Sequence, residues 1–322
     1  MEKSAYNRNV TRSIDLSGHP TIKGFDFNKD LDVQSLLDSF QTTGFQASNL
    51  FQAIQITKTM RRENATIFLG FTSNMISSGL RDVIKYLVQN NLVHCLVTTA
   101  GGIEEDVIKT LDPFVLGSFN APGKMLFESG VNRTGNIFVP NDRYTYFEKF
   151  MRPFLKKIQE TSNNIPMHEF TRALGEEVDN EDSILYWAAK NNIPVLCPAP
   201  MDGALGDMIY YHRLNYPDFQ IDITKDMDIA VKMAMNADKT GVIFLGGGVS
   251  KHFILNANIF REGADYAVYI TTAQEYDGSD SGGNIQEAIT WGKVKPDAPH
   301  VKVHCEATIA FPLLVAGAFK NF

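Results

Sequence analysis

Two amphipathic segments near the start of the chain predict helices. The first begins near Asp32 and is broken by Gly44; the apolar side chains that share its face are Val33, Leu36, Leu37 and Phe40. In the second, the apolar side chains at helical spacing are Leu50, Phe51, Ile54 and Met60. Because spacings of three and four residues place side chains on one side of a helix, both segments can pack against a core.

After residue 64, short apolar runs alternate with helical segments. The predicted buried strands are 65–71, 92–99, 193–197, 241–247, 264–273 and 300–306. The predicted helices are 79–91, 103–111, 143–160, 183–192, 226–237 and 285–292, with a kink or break at Pro153. Strands joined by helices are typical of a parallel sheet. We predict an N-terminal arm, 1–23, and one α/β domain, 24–322, with a helical N-terminal extension.

Small and acidic residues collect where the predicted strands end, which is where open α/β sheets bind ligands. Gly246, Gly247 and Gly248 lie between a strand and a helix, as in a dinucleotide-binding turn but without the GxGxxG spacing. Such glycines also occur in ordinary tight turns. The acidic residues at these ends are Glu104, Glu105, Asp202, Asp207, Asp277, Asp280 and Glu287.

These carboxylates have two interpretations. Each can cap a helix, and Asp202 and Glu104 lie where caps belong. Alternatively, the set converges on one rim and binds a polyamine or a metal. A metal is disfavoured because no two histidines have i,i+4 spacing and the carboxylates are spread over five loops.

Lys293 and His252 are the candidates for covalent chemistry. Lys293 follows Trp291 and Gly292 at a helix end, where a lysine is commonly a surface charge that complements the helix dipole. A buried lysine beside an aromatic side chain can instead form an imine, because desolvation favours the neutral amine. His252 follows the three glycines, so a catalytic and a structural role are both open.

Composition narrows the class of protein. The net charge of -7 disfavours nonspecific nucleic-acid binding and suits a cationic substrate. Cys95, Cys197 and Cys305 are far apart in apolar runs, which favours buried, reduced thiols in a cytoplasmic protein. The polar first residues show no secretory signal, and no apolar run approaches about 20 residues, the length that spans a bilayer.

Several segments together resemble the deoxyhypusine synthase family. They are TTGFQASN (42–49), FLGFTSNMISSG (68–79), LVTTAGGIEEDVIK (96–109), DGALGDMI (202–209), LGGGVSKH (245–252), NIFREGADYAVYITTAQEYDGSDSGG (258–283), EAITWGKV (287–294) and FPLLVAGAF (311–319). The resemblance covers nearly all of the chain after Gly24. It implies a Rossmann-like parallel sheet with helices on both faces, and a homotetramer, a dimer of dimers, with active sites between paired subunits.

The same resemblance implies the site residues. The implied NAD-binding residues are Ser73, Asn74, Ser77, Thr99, Ala100, Gly101, Glu105, Asp202, Gly247, Thr272 and Ala273. Glu306 and Ala307 are further NAD candidates, although the family usually has Asp where this chain has Glu306. The implied spermidine-binding residues are Glu104, Asp207, His252, Gly278, Ser279, Asp280, Glu287, Trp291 and Lys293.

The family's reaction gives these residues their roles. NAD takes hydride from spermidine, Lys293 forms a covalent butylimine, and 1,3-diaminopropane leaves. A lysine of the translation factor 5A precursor then displaces Lys293, and the new imine is reduced to deoxyhypusine. His252 is the candidate base for Lys293. Homospermidine synthase, which uses putrescine as acceptor, would share these motifs, and a non-enzymatic NAD-binding scaffold is a third alternative.

Overall fold

The computed structural model describes residues 14–320 of the 322-residue chain. Residues 1–13 of the predicted arm therefore lie outside the described part. Residues 14–31 contain turns but no helix or strand. The segment is tied to the first helix at one point, where the amide of Lys23 donates to the carbonyl of Thr42 at 3.0 Å.

Helices and strands alternate along most of the described chain. The helices are α1 Val33–Thr43, α2 Phe45–Arg62, α3 Asn74–Ser77, α4 Leu80–Gln89, α5 Ala100–Leu111, α6 Gly123–Glu128, α7 Asp142–Thr161, α8 Met167–Val178, α9 Ile184–Lys190, α10 Ala204–Arg213, α11 Thr224–Asn236, α12 Gly248–Ile259, α13 Ile285–Thr290 and α14 Ala307–Val315, followed by a π-helical turn, Ala316–Lys320. The strands are β1 Thr66–Phe71, β2 Cys95–Val97, β3 Val115–Leu116, β4 Val131–Thr134, β5 Ile137–Pro140, β6 Asn164–Pro166, β7 Val195–Leu196, β8 Gln220–Asp222, β9 Thr240–Leu245, β10 Tyr266–Ile270 and β11 His300–Val303.

The main sheet has six parallel strands in the order β11-β10-β9-β1-β2-β7. Counted along the chain, these strands lie in the order 3-2-1-4-5-6 when viewed from β7, which is the order of a Rossmann fold. They are the six strands that the apolar runs predict. The direction of winding reverses between β1 and β9, so this is the topological switch point of the sheet.

Both faces of the main sheet are covered, as the predicted fold class requires. In β10, Tyr266, Val268 and Ile270 belong to one buried cluster. The alternating residues, Ala267 and Tyr269, belong to the cluster on the opposite face. Successive side chains of a strand point to opposite faces, so each strand contributes to two cores. Apolar runs without alternation are the sequence pattern that such strands produce.

The helical N-terminal extension packs on one edge of this sheet. Asp32 accepts a hydrogen bond from the amide of Ser35 at 2.9 Å and caps α1. Gly44 separates α1 from α2 with a φ of 94°, a value that few other residues adopt. Helix α2 lies against β10 and β11, and Asn49 donates to the carbonyl of Lys302 at 3.1 Å. Both predicted helices are therefore confirmed.

Two features depart from the sequence predictions. Helix α7 continues through Pro153 from Asp142 to Thr161, so the helix is not broken there, and the alternative of a kink stays a prediction. Its buried face, which includes Phe147 and Phe154, stabilises the helix in spite of the missing hydrogen bond. Two small sheets were also not predicted: antiparallel β3-β5-β4 and the parallel pair β6-β8. Their strands have two to four residues, too few for a period-2 pattern. Across residues 14–320, no helix combines the length and apolarity needed to span a membrane.

Candidate active site

Glycines line the crevice at the switch point between β1 and β9. Gly246 has a φ of 80°, and a Cβ there would lie 2.9 Å from Oγ1 of Thr72, which follows β1. Gly247 approaches the loop after β10 so closely that a Cβ would lie 2.5 Å from Cα of Ser281. Gly248 then begins α12 with a φ of 67°. The N-terminus of α12 thus lies at the carboxyl edge of the sheet, an arrangement that suits a phosphate group.

The ends of β1 and β2 are joined by side-chain contacts between predicted NAD-binding residues. A Cβ on Gly101 would lie 2.8 Å from Cβ of Ser73, so only glycine permits this approach. Ser77 is buried and donates a short hydrogen bond to Glu105. Burial raises the pKa of Glu105 to about 7, although the Ser77 hydrogen bond opposes the shift. These contacts join the segment after β1 to the start of α5.

The other predicted NAD-binding residues also follow strands of the main sheet. Asp202 comes after β7, Thr272 and Ala273 after β10, and Glu306 and Ala307 after β11. Thr99 and Ala100 lie at the start of α5. The carboxylate of Glu306 accepts the amide of Thr308 at 2.9 Å and so caps α14. All of the predicted cofactor residues therefore lie at the carboxyl edge of one sheet.

The backbone of Lys293 is fixed by the end of α13. Gly292 has a φ of 67°, its amide donates to Ile289 at 3.0 Å, and the amide of Lys293 donates to Ala288 at 3.0 Å. This pair of bonds is a Schellman motif, which explains the glycine. The carbonyl of Lys293 also accepts the amide of Ala264 at 3.0 Å. Lys293 is thus held at a defined position and is only 8% exposed, so it is not a surface charge.

Lys293, His252 and Asp280 form a hydrogen-bonded series. Nζ of Lys293 lies 3.5 Å from Nε2 of His252, and Nδ1 of the same ring lies 3.0 Å from Oδ1 of Asp280. A carboxylate at Nδ1 favours the tautomer with its proton on Nδ1, which leaves Nε2 free to accept a proton. The two contacts together give His252 the geometry of a base directed at the amine of Lys293.

A pocket of about 410 Å³ surrounds this series. Gly278, Glu287 and Trp291, which the resemblance assigns to the polyamine site, also line it. Trp291 is 66% exposed, and the amine of Lys293 lies 5.8 Å from its ring centroid. Ser279 lies in the same loop as Asp280, and its amide donates to Asp277 at 2.8 Å. The pocket therefore combines an amine, a base and carboxylates with an aromatic wall.

Lys251 and Tyr269 also line this pocket and were not among the predicted site residues. Lys251 is buried. Its amine donates to the backbone carbonyl of Asp280 and lies 3.6 Å from Oδ2 of the same residue. Burial lowers the pKa of Lys251. Its position directly before His252 was the available signal. Tyr269 lies within an apolar strand, where an aromatic residue gives no sign of a functional role.

The carboxylates do not meet in one pocket, contrary to the predicted single rim. Glu104 and Asp207 line a different pocket of about 510 Å³, between α5, α7 and α10. Asp277 and Asp202 are exposed. The sequence places all these residues at strand ends, but it does not reveal how far apart along the sheet edge those ends lie.

The predicted capping role is wrong for Asp202. Helix α10 has Gly203 at its N-cap position without a side-chain cap. Glu104 does act as a cap, but for that other helix: its carboxylate accepts the amide of Leu205 at 2.6 Å. Burial raises the pKa of Glu104 and the amides of Leu205 and Ala204 oppose the shift. Glu104 is therefore a fixed, buried carboxylate at the edge of the second pocket.

The structure also shows the environment of the three cysteines and the arrangement of side chains that could bind a metal. All three cysteines are free; Cys95 and Cys197 are buried, while Cys305 is only partly buried because it follows β11 in a loop. Burial raises the pKa of Cys197 to about 12, so this thiol is unreactive. Over residues 14–320, no group of three or more His, Cys, Asp or Glu side chains is arranged to hold a metal ion.

The site therefore defines a class: an α/β protein with a nucleotide-type crevice beside a pocket that holds a buried lysine. A family model described as "DS: Deoxyhypusine synthase" matches residues 35–318. Deoxyhypusine synthase from Musa acuminata is 49% identical, over 96% of this chain and 90% of its own. The chain belongs to the deoxyhypusine synthase family and is an enzyme of that family, as the motifs predicted.

Two further comparisons bear on this assignment. Homospermidine synthase 2 from Senecio vernalis is also 49% identical, over 92% of this chain and 89% of its own. The crystal structure of a candidate deoxyhypusine synthase from Entamoeba histolytica superposes with a TM-score of 0.68 at 33% identity, covering 93% of this chain and 97% of that one. The fold and the family agree, while identity alone does not separate the two kinds of acceptor.

Proposed function

We propose that the chain transfers the 4-aminobutyl group of spermidine, through a covalent imine on Lys293, to a lysine of the translation factor 5A precursor. The product is deoxyhypusine, and 1,3-diaminopropane is released. The observation that carries this proposal is the series Lys293, His252 and Asp280 inside a pocket lined by carboxylates. A buried amine with a base at 3.5 Å is the arrangement that imine formation needs.

NAD fits the crevice formed by residues that follow β1, β2 and β9. Gly101 and Gly247 allow the neighbouring loops to approach so closely that a Cβ would collide with Ser73 or Ser281, and the amides at the start of α12 suit a pyrophosphate. Ser73, Asn74 and Glu105 would hold the cofactor on the β1–β2 side. When bound there, NAD supplies the hydride acceptor for spermidine oxidation and the hydride donor for the last reduction.

The residues of the lysine pocket perform the remaining steps. His252 removes a proton from the ammonium of Lys293, and the neutral amine adds to the carbon of the oxidised C=N bond. The C–N bond to 1,3-diaminopropane breaks, and that nitrogen leaves with the proton that it needs as an amine. Asp280 and Glu287 hold the cationic end of the aminobutyl group. Finally the acceptor amine adds to the same carbon and Lys293 leaves, so no atom of the enzyme is consumed.

A homotetramer, a dimer of dimers, is part of the proposal. Glu104 and Asp207 line a different pocket from Lys293, although all three are predicted to contact spermidine. If each active site forms between paired subunits, the carboxylate pocket of one subunit can face the lysine pocket of its partner. The two-fold symmetry of a dimer would create two such sites. We also propose a cytoplasmic location, which the three free cysteines support.

One experiment identifies the acceptor of the aminobutyl group. The protein is incubated with NAD and spermidine radiolabelled in the aminobutyl group, with either the translation factor 5A precursor or putrescine. Label in the acceptor protein supports the proposed function. Label only in a small triamine identifies homospermidine synthase, the alternative that the Senecio vernalis relative favours. Absence of transfer to both acceptors contradicts the proposal.

A further inference from the structure

Helix α3 is a single turn that carries two of the predicted NAD-binding residues. It spans Asn74–Ser77, and its N-cap residue, Ser73, forms no side-chain cap. A helix of this length is unstable by itself, because ordering the first turn costs more free energy than its few hydrogen bonds return. The last carbonyls of a helix also have no partner within it. Contacts from outside must therefore keep this turn closed.

The amine of Lys109 lies at the carboxyl end of α3. Nζ donates to the backbone carbonyls of Ile76 at 2.9 Å, Ser78 at 3.0 Å and Ser77 at 3.4 Å. An ammonium has three N–H donors, so three carbonyls satisfy all of them. A positive charge is also stabilised by the negative end of a helix dipole. Lys109 thus binds the carbonyls that a further helical turn would otherwise occupy.

Lys109 projects from α5, a helix that is itself held by its neighbours. Asp106, on the preceding turn of α5, is buried and accepts Nε of Arg81 at 2.7 Å and the hydroxyl of Ser183 at 2.6 Å. Arg81 belongs to α4, and Ser183 caps α9. Because α5 is bound to two other helices, the amine of Lys109 has a defined position from which to hold α3.

A second side chain of α5 contacts the same short helix. Glu105, four residues before Lys109, accepts the hydroxyl of Ser77. Helix α5 therefore holds α3 at two points, the Ser77 hydroxyl and the terminal carbonyls. Glu105 is also a predicted NAD-binding residue, whereas the donors of Lys109 are all used within the protein. An effect of Lys109 on the cofactor would have to act through α3.

We propose that Lys109 is a positioning residue for NAD: by binding the terminal carbonyls of α3, it keeps Asn74 and Ser77 in the orientation that binds the cofactor. This inference rests on the proposed function, because NAD binding at α3 is part of that proposal. When the amine is removed, α3 opens for part of the time. Only the closed fraction then binds NAD, so the apparent affinity falls by that fraction.

Three variants isolate the role of the amine. Lys109→Met keeps the approximate length of the side chain and removes every donor, while Lys109→Arg keeps the charge and the donors. Lys85→Met is the matched control, because Lys85 lies on the adjacent helix α4 and its amine binds Asp182 at 3.0 Å instead of a carbonyl of α3. Circular dichroism checks that each variant is folded. If Lys109→Met does not fold, Lys109→Gln, with a shorter side chain and no charge, takes its place.

The first measurement needs no cofactor. Hydrogen exchange of the backbone amides in residues 74–79 reports how often α3 opens in the free protein. Loss of charge-assisted hydrogen bonds should make exchange there roughly tenfold to a hundredfold faster in Lys109→Met. Lys85→Met should exchange like the wild type in this segment, and Lys109→Arg should regain slow exchange.

The second measurement compares NAD with spermidine. Calorimetry should show NAD binding to Lys109→Met weakened by the same factor as the exchange is accelerated, with a matching rise in the KM for NAD. The kcat at saturating NAD and the KM for spermidine should stay within about twofold of the wild type, because the lysine pocket is unchanged. Lys109→Arg should restore slow exchange and NAD affinity together, and Lys85→Met should bind NAD normally.

Weaker NAD binding by Lys109→Met with unchanged exchange of residues 74–79 would overturn the inference, because Lys109 would then act on the cofactor directly. Faster exchange with unchanged NAD affinity would overturn it as well, since α3 would not need to be held for binding. A wild type that binds NAD but transfers nothing would contradict the proposed function alone. A wild type that does not bind NAD would contradict both, while the exchange data would still show whether Lys109 holds α3.

Discussion

Nζ of Lys293 lies 3.5 Å from Nε2 of His252, and Lys293 is only 8% exposed. Nearby carboxylates stabilise an ammonium, yet attack on a C=N bond requires the neutral amine. The contact resolves this conflict because a base is already within reach of the proton. His252 is itself oriented by Asp280 at 3.0 Å, so three residues on three separate segments form one proton-transfer unit.

Removing the base should slow formation of the Lys293 adduct. We expect His252→Ala to lower its rate by about 10²- to 10⁴-fold, the usual contribution of general base catalysis. Higher pH should restore part of the rate, because solvent then removes more of the lysine proton. Rapid-quench measurement of the adduct tests this, with His304→Ala, an exposed histidine outside the pocket, as control. A His252→Ala rate within twofold of the wild type would exclude the role.

The polyamine and cofactor sites should respond to different variants. Asp207→Asn and Glu287→Gln keep the side-chain shape but remove a charge that binds an ammonium. Each should weaken spermidine binding roughly tenfold to a hundredfold, the value of a charge-assisted hydrogen bond of about 1.5–3 kcal/mol. NAD affinity should change less than about threefold, since neither carboxylate is assigned to NAD.

Asn74→Ala, at the start of α3, should weaken NAD binding and leave spermidine binding unchanged. Calorimetric titration of both ligands into the three variants, Asp207→Asn, Glu287→Gln and Asn74→Ala, makes the comparison. Loss of NAD binding with intact spermidine binding in Asp207→Asn would show that the division of the sheet edge is wrong.

A site shared between subunits should be recoverable from two inactive variants. Lys293→Ala lacks the nucleophile, and Asp207→Asn lacks a carboxylate of the other pocket. Subunits unfolded together, mixed equally and refolded should regain about a quarter of wild-type activity at low spermidine, because half of the two-fold dimers are mixed and each has one intact site. Sedimentation should show a tetramer. An active monomer, or no recovery in proven mixed tetramers, would contradict the shared site.

Stability should depend on pH through Glu105. Its folded pKa of about 7 exceeds the ordinary value of 4.5, so the folded state retains a proton that the unfolded state releases. Stability contributed by the protonated group is therefore present at low pH and lost as pH rises from 4.5 to 7. Glu105→Gln, which cannot ionise, should stabilise the protein more at pH 8 than at pH 5.

Urea unfolding of the wild type and Glu105→Gln at both pH values measures this difference. Comparing the two proteins cancels the contributions of other titrating groups, apart from the neighbouring Glu104. Glu176→Gln, an exposed glutamate on α8, is the control and should show no such trend. An equal effect of Glu105→Gln at the two pH values would mean that Glu105 is not protonated in the folded protein.

The sequence predicts the main sheet well because its strands are buried on both faces. Runs such as 65–71 and 241–247 stand out as continuous apolar segments, and the structure contains β1 and β9 there. The short strands β3 to β6 and β8 escaped prediction because two to four residues cannot show a period. The low helix propensity of proline also predicted a kink or break at Pro153, but the tertiary packing of α7 outweighs one missing hydrogen bond and the helix continues.

The site was predicted only in part, because a sequence gives no distances between the strand ends. The motifs locate Lys293 and His252, and the structure brings these two into contact. They could not reveal that Glu104 and Asp207 line another pocket, since sequence position fixes the strand end but not its place in the sheet. Tyr269 also lines the lysine pocket, with a hydroxyl that has no hydrogen-bond partner in residues 14–320; this property depends on three-dimensional surroundings and leaves no trace in the sequence pattern of β10.

Lys293 and Lys251 both line the pocket, and the imidazole of His252 lies at the amine of Lys293. Lys293→Ala should therefore abolish aminobutyl transfer while the fold and NAD binding persist. Lys293→Arg should be nearly as inactive, because a guanidinium does not lose its proton in proteins. Substantial transfer by either variant would exclude the covalent mechanism.

The most direct measurement traps the covalent intermediate. Wild-type protein is incubated with spermidine and NAD, reduced with borohydride, digested and analysed by mass spectrometry. The account predicts an added aminobutyl group on Lys293 that requires both spermidine and NAD and is absent from His252→Ala at early times. An adduct on Lys251 instead, or no adduct on any lysine while transfer proceeds, would contradict it.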